Sequence, residues 1–372
     1  MLAGMIIGAG MFAIPFLFLQ AGFLLGAIEL VFLAACVVIL HLSYADIVIR
    51  TDELHRLPGY ANIYLGPWAR IISLGSMVAS SVGTLLVYLL LGSRFLHEAL
   101  RIGNVPSFVP EQGSALLLVL ILAGIGAFIT YFPIRGEALV NGVLTAILLL
   151  FISFLFYLLY PMVNLVNARG LAVENAALPY GVLLFALWGG IVIPDIATFL
   201  GKNPLRTRIA VFVGTLIPAI VYFLFSFVII GVSGARTSQE ALSGLFGIVP
   251  DKTLLIGIVI GLLAVFTSFI AVGKTLQLML ELDLGVPRVV SWLAGSSVPV
   301  FLYFLGFTDF IVIIAIIGAT AIGIDAALIL LVFYRMKREH NERIPWYGFA
   351  ARVVIFCIVL GGIGYHLFWG SP

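Results

Sequence analysis

Long apolar runs separated by short polar turns dominate the pattern of this chain. Eleven runs reach about 20 residues, the length that an α-helix needs to cross the hydrocarbon core of a bilayer. The short segments of alternating polarity that are typical of a membrane β-barrel do not occur. We predict spans at residues 1–20, 22–49, 69–100, 114–134, 137–160, 179–201, 208–233, 253–281, 288–306, 308–335 and 347–369.

The composition agrees with an all-α, multi-pass membrane protein. Hydrophobic residues make up 63% of the chain and charged residues only 10%, against about 25% charged in soluble domains. The net charge of +2 and the lack of a basic stretch give no sign of nucleic-acid binding. We find no Walker loop, no metalloprotease motif and no histidine cluster, so neither an enzyme nor a metal site is expected.

Lysine and arginine predict the orientation of the helices, since cytoplasmic loops carry an excess of them. With the N-terminus in the cytoplasm, twelve basic residues fall on the inner side and five on the outer side. The odd number of spans then places the C-terminus outside. The inner residues are Arg50, Arg56, Arg70, Arg135, Lys202, Arg206, Arg208, Arg288, Arg335, Lys337, Arg338 and Arg343; the outer ones are Arg94, Arg101, Arg169, Arg236 and Lys252.

Spans 1 and 6 carry helix-breaking residues at matching positions. Pro15 follows Gly10 by five residues in span 1, and Pro194 follows Gly189 by five residues in span 6. Glycine permits unwinding and proline removes a backbone donor. Matching interrupted helices in two halves of a chain indicate an inverted-repeat transporter with a site near the membrane midplane. The alternative is that these glycines only allow close helix packing.

An interrupted helix offers groups that suit a free amino acid. Its freed N–H groups and half-helix N-terminus can bind a carboxylate, and its freed carbonyl groups can bind an ammonium group or a cation. Unwound backbone at membrane depth is tolerated only where protein or a ligand satisfies it. The sequence therefore predicts a small ligand that carries both charges.

Several stretches resemble the amino acid/auxin permease group, most closely its bacterial aromatic and hydroxy amino acid permeases (tyrosine and tryptophan permeases). They are GMIIGAGMFAIPFLFLQAG (4–22), LPGYANIYLG (57–66), LLFALWGGIVIPDIATFLGKN (183–203) and IAVFVGTLIPAIVYFLF (209–225). The resemblance implies the LeuT-type fold: a five-helix repeat in 1–160, an inverted repeat in 179–335 and an additional helix in 347–369. It also implies a prokaryotic cytoplasmic (inner) membrane. The family has a longer lead-in than the seven residues before Gly8, which raises the expectation of a truncated N-terminus.

The same resemblance implies a substrate site at the two breaks. The substrate carboxylate would meet the N–H groups of Gly8, Ala9 and Gly10. The amine would meet carbonyl groups around Phe185, Ala186 and Trp188, next to Gly189. Tyr88 in span 3 matches a tyrosine that faces the substrate in this fold, with ordinary core packing as its alternative. Trp188 either walls the side-chain pocket or fills a gap.

The coupling ion has two sets of candidate residues. Thr267 and Ser268, in the middle of span 8, resemble the second sodium site of LeuT-type transporters, which carbonyl groups of Gly4 and Ile7 would complete. Their alternative is hydroxyl bonding to the carbonyl groups of their own helix. A sodium ion there is the only metal expected, and no organic cofactor is expected.

Charged residues within the spans form the second set of candidates for ion coupling. A charge inside the bilayer costs free energy and is usually functional. Lys274 could replace sodium with its own ammonium group, reach the interface, or pair with Asp325. Asp195 follows Pro194, where the helix dipole favours an acid, and could instead be a protonatable group beside the substrate. Asp325 is interpreted as a partner of Lys274 or a proton carrier, and Glu29 as a satisfied core acid.

These patterns predict a secondary active permease for aromatic or other large neutral amino acids, driven by cation symport. Protons are favoured over sodium by the resemblance and the embedded charges. The expected partners are the amino acid and the lipid bilayer, and the oligomeric state stays open. The alternative function is a non-transporting membrane amino acid sensor of the same fold.

Overall fold

The computed structural model describes residues 1–103, 111–132, 137–343 and 345–368, and the regular elements in these ranges are helices. The α-helices of the described ranges are α1 (Leu2–Ile6), α2 (Gly10–Ala21), α3 (Phe23–Arg50), α4 (Leu57–Leu65), α5 (Pro67–Ile102), α6 (Glu111–Tyr131), α7 (Glu137–Leu159), α8 (Leu178–Leu187), α9 (Ile193–Phe199), α10 (Pro204–Ser233), α11 (Asp251–Leu284), α12 (Arg288–Phe304), α13 (Phe310–Ile317), α14 (Gly323–Glu339) and α15 (Trp346–Phe368).

The helices confirm an all-α, multi-span membrane protein. Among the described residues, eight helical segments are long and apolar enough to cross a membrane. Three shorter apolar helices occupy the predicted spans 1, 4 and 9. Arg135, the end of predicted span 4 at 133–134 and residue 369 lie outside the described residues.

Both predicted interruptions are present. In span 1, α1 ends at Ile6 and α2 begins at Gly10; in span 6, α8 ends at Leu187 and α9 begins at Ile193. Pro194 lies in the first turn of α9, where its missing N–H group has no helical acceptor to lose. The α-helix is therefore interrupted at residues 7–9, just before Gly10, and at residues 188–192, just before Pro194, where Gly190–Val192 forms one turn of 3-10 helix.

Two elements were not predicted. The loop after α3 contains α4, which ends at Gly66, whose φ of +96° suits glycine and directs the chain into Pro67 at the start of α5. Span 10 contains a π-helical segment, Gly318–Ile322, between α13 and α14. Gly318 lies so close to the carbonyl group of Gly181 on α8 that a side chain there would overlap it.

The long helices form a bundle in which the broken helices lie side by side. The contacting pairs include α2 with α8, α3 with α10, α5 with α11 and α6 with α12. In sequence, each of these pairs joins a span to the span five places later. Large apolar side chains such as Phe128, Leu150 and Tyr157 are exposed on the outside, as expected for a lipid-facing surface. Helix α15 packs against α14 at the edge of the bundle.

Candidate substrate-binding site

A cavity lies between the two helix breaks, and we call it the central cavity. Its empty space is about 880 Å³, which includes the part that is open to solvent. The breaks contribute Gly8, Ala9, Gly10, Phe185, Ala186, Trp188, Gly190 and Ile191 to its wall. The surrounding helices and α4 add Tyr44, Leu57, Met77, Ser80, Ser81, Thr84, Tyr88, Val272, Ile322, Asp325 and Ile329.

The α1–α2 break presents backbone donors to this cavity. Outside the helices, no backbone hydrogen bond of the described residues is donated by the N–H groups of Gly8, Ala9 or Gly10. Tyr88 lies beside them, since its hydroxyl oxygen is 3.5 Å from the position that a Cβ atom would take at Gly8. Ser268 lies on the same side, since its hydroxyl oxygen is 3.9 Å from that position. The structure thus brings together the predicted carboxylate-binding residues, Tyr88 and Ser268.

One side chain from span 7 joins the ends of the two half-helices. The hydroxyl group of Tyr222 lies 2.6 Å from the Ile6 carbonyl oxygen and 3.0 Å from that of Ala186. These carbonyl groups belong to the last residue of α1 and the second-last residue of α8. Tyr222 is fully buried, so water does not reach these two carbonyl groups beside it. Its hydroxyl group therefore supplies the hydrogen-bond donor that they need.

The α2 and α8 backbones approach each other closely at the site. A Cβ atom at Gly10 would lie 2.7 Å from the Ala186 Cβ atom, so only glycine fits there without movement. The Trp188 indole covers Gly190, where a Cβ atom would lie 2.9 Å from the ring. Trp188 therefore walls the central cavity and also packs against the broken backbone, which combines its two predicted roles.

A buried histidine binds the α8–α9 break from α3. His41 has no exposed surface, and its Nε2 atom accepts a hydrogen bond of 3.3 Å from the Gly189 N–H group. Its Nδ1 atom lies 2.9 Å from the Thr215 hydroxyl oxygen on α10. The imidazole also contacts the Trp188 ring, with 5.4 Å between ring centroids. His41 thus connects three elements at one of the predicted substrate-site residues.

An ion pair closes the end of the cavity near α4. The guanidinium group of Arg56 donates to Asp195 at 2.8 Å and to the carbonyl oxygen of Ile191 at 2.7 Å. Arg56 lines both the central cavity and a second recess beyond it, which we call the vestibule. Asp195 lines the vestibule rather than the central cavity.

The described contacts of the predicted sodium-site residues are with other groups of the protein. Thr267 donates to the carbonyl groups of Leu263 and Ala264 on its own helix, each at 3.0 Å. Ser268 lies near Gly8, where its hydroxyl oxygen is 3.9 Å from the position that a Cβ atom would take. Gly4 faces α7, where a Cβ atom would lie 2.7 Å from the Thr145 hydroxyl oxygen. Ile7 is buried directly before Gly8.

The two embedded charges of spans 8 and 10 have different partners. Lys274 donates to the carbonyl oxygen of Phe132 at 2.7 Å and to that of Thr130, at the end of α6. Asp325 is buried, lines the central cavity and accepts a hydrogen bond from the Ser76 hydroxyl group. Glu29 differs from the expectation of a satisfied core acid, because its buried Oε2 atom has no hydrogen-bond partner among the described residues.

Sequence reasoning missed three residues that hold the breaks. Tyr222 gave no signal, Arg56 counted only as one of the inner charges, and His41 counted only as a dispersed histidine. A polar side chain in the middle of an apolar span indicates a buried polar partner. His41 lies within such a span, so its position could have indicated its role.

The fold and the site define an integral, multi-pass membrane protein with a small-molecule cavity between two interrupted helices. The sequence model of the tryptophan/tyrosine permease family matches residues 1–369, and the chain belongs to this family. A search of curated proteins found no match. Membership confirms the predicted resemblance and indicates an amino acid permease, a transporter rather than an enzyme.

Proposed function

We propose that this protein carries aromatic or other large neutral amino acids across a prokaryotic inner membrane by proton symport. The observation that carries the proposal is the central cavity at both breaks, where backbone donors of residues 8–10 face the carbonyl end of α8. A zwitterion fits such a site because the donors suit its carboxylate and the carbonyl groups suit its amine. The end of the cavity at Arg56 is assigned to the cytoplasm.

The walls of the cavity support a large neutral side chain. They are mostly apolar or aromatic, with Met77, Phe185, Trp188 and Val272 among them. The family name, tryptophan/tyrosine permease, agrees with this class of substrate. Phe185 and Trp188 offer ring faces and edges for an aromatic substrate.

The position of Asp325 supports protons as the coupling ion. Asp325 is a buried carboxyl group in the wall of the central cavity. We propose Asp325 as the proton carrier. Lys274 then serves to bind the end of α6, and Asp195 serves in the closure at Arg56.

We also propose the LeuT-type arrangement of two inverted repeats in 1–160 and 179–335, with α15 outside them. The contact of spans 1, 2, 3 and 4 with the spans five places later supports it. In this arrangement spans 1, 2, 6 and 7 would rock against spans 3, 4, 8 and 9 to expose the cavity to each side in turn.

The test is uptake of radiolabelled tyrosine, tryptophan, leucine, serine and glutamine into proteoliposomes under an imposed proton or sodium gradient. The expected result is proton-driven uptake of the aromatic substrates. It should be lost in Asp325→Asn and retained in Thr267→Ala and Lys274→Ala. Uptake that needs sodium and disappears in Thr267→Ala would instead assign ion coupling to the hydroxyl groups of Thr267 and Ser268. Binding of tyrosine without uptake under either gradient would favour the sensor function.

A further inference from the structure

The hydrogen bonds around His41 fix which nitrogen carries its proton. The Thr215 hydroxyl group donates to the Val211 carbonyl oxygen at 2.9 Å, so its oxygen can only accept from the Nδ1–H group of His41. The Nε2 atom is then unprotonated, and it accepts from the Gly189 N–H group. The geometry therefore requires a neutral imidazole in this conformation.

Protonation would remove the acceptor on which the break depends. An imidazolium ring carries N–H groups at both nitrogens, and its Nε2–H group would face the Gly189 N–H group, donor against donor. The buried Gly189 donor would lose its partner, and the added charge would lie in the same buried position without a counter-ion. The observed backbone at Gly189 and a protonated His41 are thus incompatible.

The groups that face the ring are neutral. The elements that pack against α3 include α2, α4, α8, α9, α10 and α14, and the ring itself contacts Thr215, Gly189 and Trp188. Four titratable groups of these elements have partners elsewhere: Asp195 binds Arg56, Arg208 binds Asp46, Asp325 binds Ser76, and Tyr222 binds Ile6 and Ala186. Tyr44, one turn further along α3, lines the cavity.

We propose that His41 is a positioning residue whose protonation switches the α8–α9 break away from the conformation described here. Neutral His41 holds Gly189 and, through ring contact, Trp188 at the wall of the central cavity. Protonated His41 releases both. This inference deepens the proposed function, since it assigns the regulation of the same site, and it adds a second proton-sensitive position to Asp325.

The test measures conformation rather than transport. Ser80, which lines the central cavity, is replaced by cysteine in a protein whose Cys36 and Cys357 are replaced by alanine. The rate of modification by a membrane-impermeant thiol reagent, applied from the side of Arg56, is measured from about pH 7.5 to about pH 4.5, a range that extends below the ordinary range of histidine because a proton must displace the hydrogen bond from Gly189. The matched background is His41→Gln, whose amide oxygen can accept from Gly189 but cannot gain a proton.

The informative quantity is the ratio of the rate in the protein that keeps His41 to the rate in the His41→Gln background at each pH, because a thiol itself reacts more slowly in acid. We expect this ratio to change severalfold across the pH range along a titration curve, whose midpoint is the pH of half-maximal change. A ratio that stays constant with pH overturns the proposal. If His41→Gln does not fold, Thr215→Val decides: loss of the Nδ1 acceptor should shift the midpoint, and an unchanged midpoint overturns the proposal.

The two proposals fail separately. Absence of uptake and of substrate binding, with the pH-dependent ratio present, would reject the transport function and leave the switch. Proton-driven uptake with a constant ratio would reject the switch and leave the transport function.

Discussion

Arg56 and Asp195 are 139 positions apart in the sequence, and their side chains form an ion pair of 2.8 Å at the end of the central cavity. The same arginine binds the carbonyl oxygen of Ile191, in the α8–α9 break. The pair therefore connects the segment before α4 to the backbone that walls the cavity. Because Arg56 borders both the cavity and the vestibule, it occupies the position of a gate between them.

Removal of this ion pair should increase access to the cavity from that side. In Arg56→Gln, the thiol of Ser80→Cys should be modified about twofold to fivefold faster, because a partly exposed ion pair contributes about 0.2–1 kcal/mol. Asp195→Asn should give the same increase, and the double variant little more. Arg208→Gln is the control, since Arg208 pairs with Asp46 and does not line the cavity. Equal rates in the Arg56 and Arg208 variants would contradict the gate.

Tyr222→Phe should destabilise the protein and weaken substrate binding. The loss of one hydroxyl group leaves the buried carbonyl groups of Ile6 and Ala186 without this donor, at a cost of about 1–3 kcal/mol. Thermal unfolding of the purified protein and equilibrium binding of tyrosine measure the two effects. Tyr157→Phe is the matched control, because Tyr157 is 78% exposed on the lipid-facing surface. Equal unfolding temperatures for the two variants would be the contrary result.

Gly10→Ala should separate the half-helices at the site. A new methyl group 2.7 Å from the Ala186 Cβ atom forces α2 and α8 apart, which costs about 1–3 kcal/mol as overpacking. Lower thermal stability and weaker tyrosine binding are expected. Gly75→Ala is the control, since no atom lies within 4 Å of its new Cβ atom and alanine favours a helix by about 1 kcal/mol. Unchanged binding in Gly10→Ala would show that this contact does not shape the site.

The ionised carboxylate of Glu342 should stabilise the folded protein at neutral pH, and this stabilisation should be lost in acid. Hydrogen bonding from Lys337, with a smaller contribution from Arg50, lowers the pKa of the Glu342 carboxyl group. A lowered pKa in the folded state gives stability that is present above the unfolded pKa and is lost as the pH falls through the folded pKa.

Glu342→Gln should therefore lower the unfolding temperature at about pH 7 and have little effect at about pH 3, below the usual carboxyl range. Differential scanning measurements at both values check this. Glu339→Gln is the control, because Glu339 pairs only with Arg335 of its own helix among the described ion pairs. An equal effect of Glu342→Gln at both pH values would contradict the assignment.

The sequence predicted most of what depends on local chemistry. The length of the apolar runs predicted an all-α, multi-span membrane protein, and glycine followed by proline marked the breaks at residues 7–9 and 188–192. Two elements were missed. The π-helical segment begins at Gly318, which lies against Gly181 on α8, and α4 lies between two predicted spans.

The sequence by itself determined the class of protein and the place of the two helix breaks, because apolar length and helix-breaking residues act on the backbone where they occur. Only the tertiary structure decided how the broken backbone is satisfied. Tyr222 reaches Ile6 across 216 positions, and His41 reaches Gly189 across 148. A buried donor or acceptor must find a partner wherever the packing of the bundle supplies one. That packing is a property of all the helices together.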